Sequence, residues 1–294
     1  MRVAITGASG FVGSHVLREL QTRDLDVVIV GRSAARLPVN NDRTKFVWMD
    51  IAQETADPIE LMEKPDTLIH LAWDGLPNYQ SPNHVESELP AQQRFLDACL
   101  ASGLRRLIVS GTCFEYGMLS GAIPEESPTV PCTQYGIAKN LLHRHLQESQ
   151  FRHSTQLGWL RLFYLYGPGQ SKSSLYASLT EAIMQGDSEF DMSGGEQVRD
   201  FISIQEAARI ITDIALLPND VGVVNVCSGK PKTVRELVET WTNEMHSRIT
   251  LNLGRLPYSQ IEPMSFWGDR SKLDSLLERG PPDCKNHISN GYRR

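Results

Sequence analysis

The chain has 294 residues, 40% hydrophobic and 22% charged, enough for one large core or two closely packed lobes. Its 29 Lys and Arg against 35 Asp and Glu give a net charge of −6 with no basic block, which argues against nucleic acid or another polyanion as partner. No run approaches the roughly 18 apolar residues of a membrane span, and the opening Met-Arg-Val-Ala-Ile-Thr reads as a strand rather than a secretory leader, so a soluble, cytoplasmic protein is expected.

Over residues 1–110, short β-branched runs alternate with helix-length amphipathic segments, the pattern of a parallel sheet with crossover helices. Strands are predicted at Val3–Thr6, Val27–Val30, Lys45–Trp48, Thr67–Leu71 and Leu107–Ser110, with a helix from Glu86 to Ala101 closed by Ser102-Gly103. A helix from Tyr135 to Gln150 and a strand from Leu157 to Phe163 follow. Residues 167–174 are rich in turn formers and open the segments expected to cover a ligand. Further on come a helix from Ser174 to Gln185, a loop at Ser193-Gly194-Gly195, a short strand at Phe201-Ile202, a helix from Gln205 to Ile214 and a buried strand at Gly222–Val226. Thr233 with Glu236 forms a capping box that opens a helix from Val234 to His246, and the tail from Gly280 to Arg294 reads as loosely held. The five cysteines, Cys99, Cys113, Cys132, Cys227 and Cys284, are odd in number and widely spaced, which suits reduced thiols rather than a disulfide framework or a zinc site.

Between the first strand and a helix from Ser14 to Gln21, glycines fall at Gly7, Gly10 and Gly13, with Ser9, Phe11 and Val12 in the same turn. Gly7 allows a tight turn, Gly10 lets backbone N–H groups approach a pyrophosphate, and Gly13 lets helix and sheet pack closely. The expected fold is therefore α/β: a Rossmann-type doubly wound parallel sheet over 1–165, to which later segments return, with a smaller substrate-binding lobe over 166–294. After the second strand stand Gly31, Arg32 and Ser33, with Arg36 one turn on, where an acid would serve a ribose 2′-OH. An arginine and a hydroxyl suit a 2′-phosphate, so NADPH is the expected cofactor, ahead of NAD.

Tyr135-Gly136-Ile137-Ala138-Lys139 places a phenol and an ammonium four residues apart on one helix face, where the cation favours the phenolate and equips Tyr135 for proton transfer. Upstream, Val109-Ser110-Gly111-Thr112 brings hydroxyls to the ligand-binding edge of the sheet. With Asp50-Ile51, His70-Leu71-Ala72, Arg161 through Tyr166-Gly167-Pro168-Gly169, Arg199-Asp200-Phe201 and Asn225-Val226-Cys227-Ser228-Gly229, the chain resembles the extended short-chain dehydrogenase/reductase family along nearly its whole length. Those are NAD(P)-dependent sugar-nucleotide epimerases, dehydratases and reductases. The resemblance implies Thr112, Tyr135 and Lys139 as the catalytic set, with Tyr135 the acid/base and Lys139 on the nicotinamide ribose. It implies that Asp50 and Ile51 flank the adenine, that Leu71, Ala72 and Trp73 line the dinucleotide path, and that Leu162 and Phe163 back the nicotinamide. Arg199 matches an arginine that grips a nucleotide-sugar diphosphate, and Asp269 or Arg270 is placed to reach the far nucleoside. The family also pairs the helices corresponding to Glu86–Ala101 and Tyr135–Gln150 into a homodimer bundle, for which Leu141, Leu142 and Leu146 have the spacing, although core burial within one subunit explains those leucines almost as well.

Departures from the family pattern carry information. Tyr164, a candidate to face the substrate, stands where many members have a substrate-binding Asn, and Glu88 where many have an Asn near the cofactor, so neither of those roles carries over. Cys113-Phe114 replaces the carboxylate pair with which 4,6-dehydratases eliminate water, which disfavours that reaction. Trp73 reads equally as a substrate-facing aromatic or a core cap, Cys113 as a packed small side chain, and Glu115 and Tyr116 as structural. His143, His145 and His153 read as solvated helix histidines, with no metal site. The leading expectation is NADPH-dependent reduction of the 4-keto group of a nucleotide-linked 6-deoxyhexose. The alternatives are a nucleotide-sugar epimerase with bound NAD and, further off, a non-catalytic NADP-binding regulator.

Overall fold

The computed structural model describes residues 1–35, 37, 42–53 and 56–279; Arg36, Cys284 and the tail from Gly280 lie outside the described residues. Seven parallel strands form one sheet: β1 (Arg2–Thr6), β2 (Asp26–Gly31), β3 (Thr44–Trp48), β4 (Thr67–His70), β5 (Arg106–Thr112), β6 (Gln156–Leu162) and β7 (Gly222–Val226). Their order is β7-β6-β5-β4-β1-β2-β3, so the chain reverses direction across the sheet between β1 and β4. In such a sheet a ligand binds at the carboxyl ends of the strands beside that switch point. Val3, Ala4 and Ile5 of β1, Leu68 and Ile69 of β4, and Leu107, Ile108 and Val109 of β5 are all fully buried. Continuous apolar runs, rather than alternation, mark strands covered on both faces.

Helices supply the cover. On one face α1 (Phe11–Gln21) packs Val16, Leu17 and Leu20 with Ala207, Ile210, Ile211 and Ile214, which belong to a later helix, Ile204–Leu216. On the other, Leu96, Cys99 and Leu100 of α2 (Leu89–Ala101) meet Ala138, Leu142 and Leu146 of α3 (Gln134–His153). Leu142 and Leu146 are thus spent on this core, while Leu141 is 41% exposed. The predicted helix from Glu86 begins instead as a wider turn, His84–Glu88, in which Leu89 N–H bonds the His84 carbonyl. Pro90 has no N–H to continue a regular ladder, and a wider turn absorbs the gap.

The remaining helices of eight residues or more are α4 (Leu175–Gln185), α5 (the Ile204–Leu216 helix), α6 (Val234–Glu244) and α7 (Ser271–Glu278). Thr233 and Glu236 form the capping box of α6, which stops two residues short of the predicted His246, itself in the left-handed region at φ 52°. A smaller cluster gathers Leu179, Met192, Leu237, Val238 and Trp241 around α4 and α6. Short strand pairs stitch this part together: Tyr164–Tyr166 with Phe201–Ser203, Val198–Arg199 with Lys232–Thr233, Glu189–Asp191 with Thr250–Asn252, and Gly121–Ile123 with Phe266–Gly268. Most of these two- and three-residue strands, and α7, are too short to leave a periodic signal. Among the described residues no helix is long and apolar enough to cross a membrane, and no group of His, Cys, Asp and Glu could hold a metal.

Candidate active site

At the switch point a cavity of about 340 Å³ opens above β1, β2 and β4. Its wall includes Gly7, Ser9 and Gly10, then Arg32, Ser33, Asp50 and Ile51, and Leu71, Ala72 and Trp73. Gly7 has φ 73°, and a Cβ there would stand 2.6 Å from the Ala72 backbone nitrogen. A Cβ on Gly13 would meet the Gly7 carbonyl oxygen at 2.1 Å, so the helix-to-turn approach requires glycine at both positions. Gly10 is the N-cap of α1 and has no side chain to bond the first-turn N–H groups contributed by Phe11, Val12 and Gly13. Those donors and the helix dipole favour an anion, and the cradle fits the diphosphate of a dinucleotide.

Beneath the turn runs a buried hydrogen-bond chain. Thr6 Oγ1 accepts from Leu71 N–H at 3.2 Å and Ala72 N–H at 3.3 Å and meets His70 Nδ1 at 3.0 Å. His70 Nε2 bonds the Gln92 carbonyl oxygen, whose amide donates to Ala72 O at 3.2 Å and Glu88 Oε1 at 2.6 Å. Glu88 Oε1 also accepts from Asp74 N–H at 3.1 Å. Complete burial pushes His70 down to about 3, which keeps the imidazole neutral and able both to donate and to accept. Glu88 therefore holds the loop after β4.

The adenosine end is more acidic than the sequence suggests. Arg32 Nη2 pairs with Asp74 Oδ2 at 3.2 Å, and Ser33 Oγ accepts from Ala35 N–H at 3.1 Å. Asp50 caps its own turn, accepting from Ala52 N–H at 3.1 Å. Among the described wall residues Arg32 is the cation, against Asp50, Asp74 and Glu88.

Tyr135 and Lys139 do not wall this cavity but meet it through Trp73. Lys139, fully buried, donates to Ser110 O at 2.8 Å and lies 4.0 Å from the centre of the Trp73 ring. Tyr135 stands edge-on to the same ring at 5.8 Å, and Lys139 Nζ is 5.9 Å from the Tyr135 ring centre. Trp73 is held by its indole N–H, which donates to His84 Nδ1 at 3.1 Å, while His84 Nε2 bonds Asn78 O at 2.8 Å. Burial lowers Lys139 to about 7 and raises Tyr135, to which the neighbouring Tyr79, Glu115 and Cys113 add. Thr112, carried to the edge because β5 runs two residues past its predicted end, caps the short turn Cys113–Tyr116. Its Oγ1 accepts from Phe114 N–H at 3.3 Å, which leaves the hydroxyl proton to donate.

Beyond Tyr135, aromatic rings continue through Tyr79 at 5.8 Å, Phe114 at 4.9 Å from Tyr79, and Tyr164 at 6.5 Å from Phe114. Arg199 lies near, 5.7 Å from the Tyr164 ring, but its guanidinium is engaged by Val198 O at 2.9 Å, Met264 O at 3.2 Å and Glu262 Oε2 at 3.2 Å. Arg270 braces α7 instead, bonding Cys227 O at 2.7 Å, Glu206 and Asp274, and Asp269 caps Ser271 N–H at 2.8 Å. Phe163 is buried with Cys113, Tyr116, Ile123, Cys227 and Phe266, and Leu162 packs against the sheet core.

Glu115 is fully buried, accepting from Arg161 Nε at 2.8 Å, Trp159 Nε1 at 3.0 Å and Thr112 N–H at 2.8 Å. Tyr116 donates to Asn225 Oδ1 at 2.7 Å. Cys113 is a packed thiol that burial pushes up. The solvated reading of His143 is corrected: it is 5% exposed and stacked on Trp159 at 4.7 Å, because its turn of α3 faces β6. His145 bonds Asp97 at 2.8 Å. Glu262, His84 and Tyr79 had no sequence signal, since each lies outside the quoted motifs, whereas Gln92 had one in its four-residue spacing from Glu88.

Several known proteins are similar to this chain. A dTDP-6-deoxy-L-talose 4-dehydrogenase (NAD(+)) of Aggregatibacter actinomycetemcomitans is 28% identical over 270 residues, covering 91% of this chain and 99% of its own. The uncharacterized UDP-glucose epimerase YtcB of Bacillus subtilis is 27% identical, covering 96% and 93%. Among solved structures, MoeE5 in complex with UDP-glucuronic acid and NAD superposes with a TM-score of 0.80 at 26% identity, over 95% of this chain and 93% of that one. The NADPH expectation is corrected by these NAD-dependent relatives. The physical reason is visible in the cavity, where Arg32 is already paired with Asp74 and a 2′-phosphate would meet an excess of carboxylates. The model of the NAD dependent epimerase/dehydratase family matches residues 3–227, and the chain belongs to that family.

Proposed function

We propose that the protein is an NAD-dependent enzyme acting at C4 of a nucleotide-diphosphate hexose, oxidising the carbinol and re-reducing it on the opposite face, as a 4-epimerase. The observation that carries this reading is Trp73, which lines the dinucleotide cavity while touching Lys139 and standing edge-on to Tyr135. Proton transfer and cofactor chemistry thereby meet at one point. NAD, when bound, supplies the acceptor and donor of the C4 hydride. Tyr135 takes the C4 hydroxyl proton as the carbonyl forms and returns it on reduction. Thr112 donates a hydrogen bond to the same oxygen, and Lys139, positively charged beside the phenol, stabilises the phenolate. Inversion requires the keto sugar to present both faces, and the rings of Tyr79, Phe114 and Tyr164 offer it apolar surface to turn against.

A second reading, net oxidation by a 4-dehydrogenase, is favoured by the talose dehydrogenase relative, which this chain matches over almost its full length. The 4-ketoreductase expectation lost one of its supports with the NADPH assignment. One experiment separates the readings: NAD-loaded protein is mixed with UDP- and dTDP-hexoses while C4 epimers are followed by NMR and NADH by absorbance. Epimer without accumulating NADH is expected. Stoichiometric NADH with a keto product selects the dehydrogenase, and no change in any sugar overturns both.

A further inference from the structure

The aromatic wall beyond Tyr135, against which the proposed hexose would lie, carries an unusual charge balance. Tyr79, Phe114, Tyr164 and Phe266 form a run of rings, with Tyr164 and Phe266 centres 5.8 Å apart. Arg199 is the cation beside them, its guanidinium 5.1 Å from the Phe266 ring and 5.7 Å from that of Tyr164. It is 4% exposed and already held by two carbonyls and by Glu262. Lys139 is committed to Ser110 and the Trp73 face, and Arg161 to Glu115. The Tyr164 hydroxyl is buried and makes no hydrogen bond of normal geometry among the described residues, with Glu262 the carboxylate acting on it.

We infer that Glu262, by spending Arg199 and facing the aromatic wall, makes the site selective for a hexose whose C6 is uncharged and excludes hexuronates. A C6 carboxylate entering this space would lose its water to a low-dielectric ring wall and find the Arg199 charge already neutralised by Glu262. Such an uncompensated desolvation discriminates between ligands without any new contact to the favoured one. A methyl or hydroxymethyl group meets ring surface and the Tyr164 hydroxyl at no such cost.

The inference rests on the nucleotide-hexose reading above. Its test is binding of UDP-glucose and UDP-glucuronate, identical but for C6, to NAD-loaded protein by calorimetry, with dTDP-glucose alongside. UDP-glucose is expected to bind about tenfold or more tighter than UDP-glucuronate. Glu262→Gln should narrow that ratio about tenfold and Glu262→Asp should preserve it, with NAD affinity of each variant reporting that it is folded. Equal binding of the two sugars, or a ratio unmoved by Glu262→Gln, overturns the inference and leaves the function standing. NAD binding without binding of any of the three sugar nucleotides overturns the functional reading and this inference with it.

Discussion

The Lys139 amine sits 4.0 Å from the centre of the Trp73 ring, in a position where it is fully buried and has one carbonyl partner, Ser110 O. The indole face offsets part of the desolvation that lowers Lys139 to about 7. A desolvated cation–π contact contributes about 2 kcal/mol, so Trp73→Leu should lower kcat at saturating NAD by roughly 30-fold. Trp73→Phe keeps a ring but loses the N–H bond to His84 and should fall between. Equal activity in all three proteins would dismiss the contact.

Tyr135→Phe should retain NAD affinity within a few-fold and lose roughly 10²–10⁴ in kcat, the usual contribution of general acid–base catalysis. Thr112→Val removes one of two hydrogen bonds to the reacting oxygen and should cost less. A Tyr135→Phe enzyme with more than about a tenth of wild-type turnover would take the residue out of proton transfer.

Gly7 and Gly31 offer a matched pair. An alanine Cβ at Gly7 meets Ala72 N at 2.6 Å in a backbone at φ 73°, whereas one at Gly31 has nothing within 4 Å. Gly7→Ala should cost at least 1–2 kcal/mol of stability and most NAD binding, and Gly31→Ala should change stability by no more than about 1 kcal/mol. Thermal unfolding with and without NAD reads both, and similar losses at the two sites would contradict the geometry.

Cofactor preference follows from the Arg32–Asp74 pair at 3.2 Å. NAD⁺ should bind about tenfold or more tighter than NADP⁺, since Arg32, the cation among the described wall residues, is already paired with Asp74. Asp74→Asn frees Arg32 and should narrow the gap, as measured by fluorescence titration of both cofactors; a variant whose ratio is unchanged would show that Asp74 plays no part.

His143 sets an acid limit on stability. Burial lowers it from the ordinary 6.5 to about 3, so between those values the unfolded chain binds a proton that the folded chain refuses. Stability is therefore lost as pH falls through this window, by about 1.4 kcal/mol per pH unit for this residue. His143→Phe keeps a ring against Trp159 and should flatten the pH dependence of urea unfolding between 6 and 4 by about that slope. Parallel profiles for wild type and variant would place the proton uptake elsewhere.

The sequence by itself determined the frame of this protein. Strand, glycine turn and helix from Arg2 to Gln21, the Tyr135–Lys139 spacing at the start of α3, and the Thr233–Glu236 capping box are all local patterns, whose physics is complete within a few residues. Tertiary structure alone decided what those groups touch. Arg32 read as a phosphate ligand until the loop after β4 brought Asp74 to it, and the carboxylate that holds Arg199 is Glu262, 63 positions away. His143 was indistinguishable from its surface neighbours until α3 laid it on Trp159. In each case the deciding partner is remote in sequence, and its approach is set by sheet order and loop closure, for which a helix or turn pattern holds no record. A charge takes its meaning from the nearest opposite charge and from the solvent it has lost, and both are properties of the folded chain.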